Sequence, residues 1–73
     1  MYIAQLLTAP RTRNGNSRQA YLIYSDRGYK VDFVYGYNLK RQVKESLGDR
    51  VVFLEYDAKI TGTEWRQLKK EFA

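Results

Sequence analysis

Three arginines, Arg11, Arg13 and Arg18, crowd into one stretch of the chain that holds no acid. Arginine carries a permanent charge on a rigid fork of donors that matches phosphate and the guanine edge, so the chemistry this stretch offers is anion recognition. The chain has no histidine and no cysteine. That excludes imidazole acid–base work, thiolate nucleophiles, disulfides and the usual zinc ligands. Proton transfer would fall to Asp, Glu, Lys or Tyr. Asp26, Asp32, Glu45, Asp49, Glu55 and Asp57 are scattered, with no pair at a spacing that demands a carboxylate dyad or a metal site. There is also no glycine-rich phosphate loop. The expectation is a non-enzymatic binding module with no cofactor and no metal. A histidine-free ribonuclease built on Arg, Lys and Tyr is an alternative that composition permits.

Charge distribution carries this further. The 73 residues include 13 Lys or Arg and 8 Asp or Glu, a formal charge of +5. Residues 1–25 contain only the three arginines, whereas the remainder nearly balances its charges. A positive field concentrated in the first third of the chain favours an anionic partner. The candidate nucleic-acid-binding set is therefore Arg11, Arg13 and Arg18, assisted by Lys30, Lys40, Arg41 and Lys44. Lys69 and Lys70 have a local explanation, because cations near the end of a helix complement its dipole.

The elements that must position these groups can be read from periodicity and turn chemistry. Tyr2–Thr8 and Ala20–Ser25 are rich in strand formers, and Asn14-Gly15 between them favours a two-residue hairpin turn. Ser25-Asp26-Arg27-Gly28 is a second turn. Tyr29–Tyr35 then alternates, with Tyr29, Val31, Phe33 and Tyr35 on one side and Lys30 and Asp32 on the other. Asn38 is placed to cap a helix whose stripe is Leu39, Val43 and Leu47, closed by Gly48. Val51–Tyr56 opens as a near-continuous apolar run, which predicts a central strand covered on both sides. Thr61 and Glu64 form a capping box ahead of Trp65, Leu68 and Phe72.

These elements define a single small α+β domain over residues 1–73, in β-β-β-α-β-α order, with a four-stranded sheet and both helices on one face. The third strand, the first helix and the fourth strand suit a crossover that leaves the two strands parallel. An Asn14-Gly15 turn would set Leu7 opposite Leu22 and Gln5 opposite Tyr24 on one side of the hairpin. Leu6 would then face Ile23, and Thr8 would face Tyr21, on the other. Arg11 would lie opposite Arg18 with Arg13 beside them, three guanidiniums on one side of a ribbon of groove-fitting width. With helices over one face, the other exposes aliphatics and tyrosines. An apolar patch of that kind points to a protein partner, most simply a second copy of the chain, through Leu6, Thr8, Tyr21 and Ile23. A protein-interaction module of this kind is the alternative to nucleic-acid binding.

Arg27–Tyr35 also invites comparison with the RNP1 pattern of the RNA-recognition motif, since Arg27, Gly28 and Tyr29 fit its first places. Lys30, Val31 and Asp32 break that pattern, and the element order differs, so membership is excluded. An aromatic platform of Tyr29, Phe33 and Tyr35 is a separate possibility; the competing reading is a stripe packed against the helices. No apolar stretch approaches the length of a membrane span, and no secretory apolar region follows Met1, so the expected location is the cytoplasm.

Overall fold

The computed structural model describes residues 1–10 and 17–73. Four strands, β1 (Tyr2–Pro10), β2 (Ser17–Tyr24), β3 (Lys30–Tyr35) and β4 (Val51–Lys59), form one mixed sheet in the order β3-β2-β1-β4. Helix α1 (Leu39–Leu47) connects β3 to β4, and α2 (Gly62–Glu71) follows β4. The α+β class and the element order are as the sequence predicts. β1 pairs antiparallel with β2 and parallel with β4, and β2 pairs antiparallel with β3, so β3 and β4 run in the same direction. They occupy opposite edges of the sheet, which makes β4 an edge strand rather than a central one. Val52, on that strand, is 47% exposed.

The helices do not share a face. Trp65 of α2 is buried with Leu7, Ala9, Ala20, Leu22 and Phe33, while Val43 of α1 is buried with Ala4 and Ile23. Neighbouring residues of a strand point to opposite sides, so these two clusters lie on opposite faces of the sheet. The reason is visible in β1 and β2, both of which carry apolar groups on both sides. One covered face would leave the other in water; a helix on each removes both from it. The expected open apolar face is thereby corrected. Ile23, placed at a partner interface by the sequence, is 1% exposed beneath α1. Leu6, Thr8 and Tyr21 are half-buried; Thr8 donates its hydroxyl to Asp57 at 2.8 Å, and Tyr21 meets Phe53 edge-on at 5.3 Å.

The hairpin register also differs from the expected one. Gln5 pairs with Leu22, Leu7 with Ala20, Ala9 with Arg18 and Pro10 with Ser17. The shift is two residues, so every side chain keeps its expected face while its partner changes. The observed pairing sets small Ala9 and Ala20 in the cluster that receives the bulky Trp65 indole. Arg18 consequently faces Ala9, not Arg11. Arg11, Arg13 and the Asn14-Gly15 turn fall outside the described residues.

Two irregularities reshape the edges. Between Ala4 and Leu6 the pairing of β1 with β4 slips, so that Leu54, Glu55 and Tyr56 stand against Gln5 alone. Gln5, 8% exposed, turns its amide to this bulge and donates to the carbonyls of Tyr56 (2.8 Å) and Leu6 (3.1 Å). A second slip, between Ile23 and Tyr24, pairs Tyr24 with Lys30 and puts Lys30 on the α2 side, where it meets Glu71 at 3.3 Å. Strict alternation would have sent Lys30 the other way.

Candidate functional site

The site is built where β2 outlasts β3. The last β2–β3 pair is Ala20 with Tyr35, whereas β2 continues against β1 as far as Ser17. Arg18 and Gln19 therefore extend past the end of the edge strand. The chain leaving β3 turns there through Gly36, Tyr37 and Asn38 before α1 begins. Gly36 has φ 119° and Asn38 has φ 52°. Positive φ costs nothing at glycine but strains a residue with a side chain. Asn38 occupies the helix-cap position without a capping side-chain hydrogen bond, so its expected capping role is not fulfilled. Its carbonyl instead accepts from the Gln42 backbone N–H at 2.9 Å, and the Gln42 side-chain amide donates to the Tyr37 carbonyl. The turn thus fixes Tyr37 while leaving its side chain in water, at 91% exposure.

On the α2 side of the sheet this turn closes a groove of about 530 Å3 between Arg18, Tyr35, Tyr37 and Trp65. The rings interlock. Phe33 meets Trp65 edge-on at 5.3 Å, and Tyr35 lies 5.5 Å from Phe33 and 6.0 Å from Trp65. Cations lie over two of them: the Arg18 guanidinium is 4.9 Å from the Trp65 ring centre, and Lys69 Nζ is 5.2 Å from that of Tyr35. Such placement over a ring face is attractive and holds the long side chain in one orientation. Arg18 Nη2 donates to the Pro10 carbonyl at 3.0 Å, while its buried Nε has no partner among the described residues.

Arg66 adds a third cation. It and Arg18 both come close to Gly62: a Cβ built there would lie 3.6 Å from Arg18 Nη2 and 3.9 Å from Arg66 Nη1. Among the described residues, Arg18, Arg66 and Lys69 make no ion pair, and no acid lines the groove. On the other side of the turn lies a smaller groove of about 350 Å3, bounded by Leu6, Tyr21, Tyr37 and Lys40. Lys40 Nζ lies 5.1 Å from the Phe53 ring centre.

The structure therefore divides the cations that the sequence groups together. Arg18 is at the groove, and Lys40 is around the edge from it. Lys30 is tied to Glu71, and Arg41 to Glu45 at 2.9 Å. Lys44 is exposed on α1. Of the three proposed platform rings, Phe33 is core, Tyr35 is 47% exposed at the groove, and Tyr29 is exposed beyond the opposite end of β3. Trp65, Arg66, Lys69 and Tyr37 join the site unannounced. Trp65 and Lys69 read as core and helix-dipole residues, and no short pattern links either to Arg18. The charge map alone could have pointed to Arg66 and Lys69.

A small α+β protein with an acid-free groove lined by Arg18 and three aromatic rings, with Lys69 over one of them, is what the fold and site define. No family model, curated protein or solved structure matches this chain. No helix among the described residues is long and apolar enough to cross a membrane.

Proposed function

We propose that this protein is a non-enzymatic module that binds nucleic acid at the groove between Arg18, Tyr35, Tyr37 and Trp65. The observation that carries this reading is the pairing of cations with rings, Arg18 over Trp65 and Lys69 over Tyr35, beside a groove without acids. Cations serve the phosphates, and exposed aromatic rings serve the bases. Arg11 and Arg13 belong to the sequence that joins Pro10 to Ser17, adjacent in the chain to Arg18 and its hydrogen-bond partner, and they add to the positive field.

The test is anisotropy titration of labelled mixed-sequence DNA and RNA at low and moderate salt. Three phosphate contacts, from Arg18, Arg66 and Lys69, predict an affinity about 20-fold lower for a single strand, and about 40-fold lower for duplex DNA, after a fourfold rise in salt. No binding at low salt would remove the proposal. Self-association without nucleic-acid binding, seen by sedimentation, would favour the protein-interaction reading instead.

A further inference from the structure

We infer that the nucleic acid bound is single-stranded and that it crosses the sheet edge at Tyr37; this rests on the nucleic-acid reading above. The larger groove opens on the α2 side and the smaller one on the α1 side, and both are bounded by Gln19, Gly36, Tyr37 and Leu39. They are one path folded around the end of β3. A cation stands at each end, Arg18 on one face and Lys40 on the other, and no acid lines either half.

Only a flexible polymer can follow that path. Duplex DNA resists bending over about 150 base pairs and keeps its bases stacked inside, so it cannot fold around one strand's edge or offer a base face to a ring in a groove. A single strand can do both. Tyr37 stands at the crossing, the most exposed large apolar side chain among the described residues. Gly36 and Asn38, both at positive φ, and the Gln42 amide hold its backbone before any ligand arrives. Left-handed backbone at a residue with a side chain, as at Asn38, persists where the surroundings enforce it, and it concentrates at binding sites. A platform fixed in advance loses little further freedom when a base stacks on it.

The experiment compares a labelled oligothymidylate of about 12 nucleotides with a mixed-sequence duplex of equal length. The full chain and the variants Tyr37→Ala, Tyr37→Phe and Lys40→Gln are titrated against both. The exposure of Tyr37 and Lys40 keeps the variants folded, and thermal melts verify it. The single strand is expected to bind tighter than the duplex. Tyr37→Ala should weaken it by about 5- to 150-fold, the range for one lost base stack, and leave the duplex unaffected. Tyr37→Phe should retain the single-strand affinity, and Lys40→Gln should lower the slope of its salt dependence by about 0.7. Equal binding of the two probes, or indifference of the single strand to Tyr37→Ala, overturns the inference while nucleic-acid binding stands. Failure of both probes to bind overturns both readings.

Discussion

Replacing Arg18 by methionine separates what this residue does for the fold from what it does for a ligand. Its guanidinium lies 4.9 Å from the Trp65 ring centre and donates one hydrogen bond, to the Pro10 carbonyl. The stack contributes about 0.5–1 kcal/mol and the hydrogen bond about 1 kcal/mol. Against these stands the buried Nε, without a partner among the described residues, whose desolvation costs about 1 kcal/mol. Methionine keeps an apolar stem on the indole and removes the orphaned donor. The net loss is then about 0.5–1 kcal/mol, or about 2–8 °C in Tm for a domain of this size. Binding should suffer more, because a charge-assisted contact to phosphate is lost outright: about tenfold at low salt. The slope of log affinity against log salt should fall by about 0.7 for a single strand. Thermal melts followed by circular dichroism and anisotropy titrations over a salt series read the two effects separately. A Tm loss beyond ~15 °C would show that the small-cost ledger for the fold is wrong. A weakened affinity with an unchanged salt slope would show that Arg18 does not meet phosphate.

Two further substitutions test the frame that holds the site. Gln5→Leu keeps the volume but removes the amide that satisfies the bulge carbonyls of Tyr56 and Leu6; it should cost about 1–2 kcal/mol by urea melts, and no loss would refute the amide's role. Thr61→Ala removes a capping box in which the Thr61 hydroxyl accepts from the Glu64 N–H at 3.1 Å; about 1 kcal/mol should be lost, with most of the binding retained, and an unchanged Tm would count against the cap as an anchor of α2.

Local chemistry explains why the elements themselves were legible. The alternation of β3, the Leu39–Val43–Leu47 stripe and the Thr61–Glu64 box each depend on residues a few positions apart, and each element formed where that chemistry placed it. What stayed hidden depends on distant residues. Pro10, which lacks a backbone N–H, closes β1, where a strand end tolerates the missing donor and the carbonyl accepts from Arg18 Nη2. The Gln5 bulge lengthens β4 through Asp57, Ala58 and Lys59, a stretch too polar to read as strand. The slip at Tyr24 turned Lys30 toward Glu71, a pairing no alternation rule anticipates.

The apolar surplus on both faces of β1 and β2 was legible too, and its meaning was not. A hairpin with two apolar sides demands two covers, and the chain supplies one helix to each. The β3–α1 turn and helix α2 both contribute to the candidate site. The chain leaving β3 turns at the sheet edge through Gly36–Asn38, which presents Tyr37, before α1 packs on one face. α2, lying on the other face, brings Trp65 under Arg18 and Lys69 over Tyr35. Arg18 belongs both to the core and to the groove: its guanidinium lies over the buried Trp65 indole and lines the groove beside Tyr35 and Tyr37.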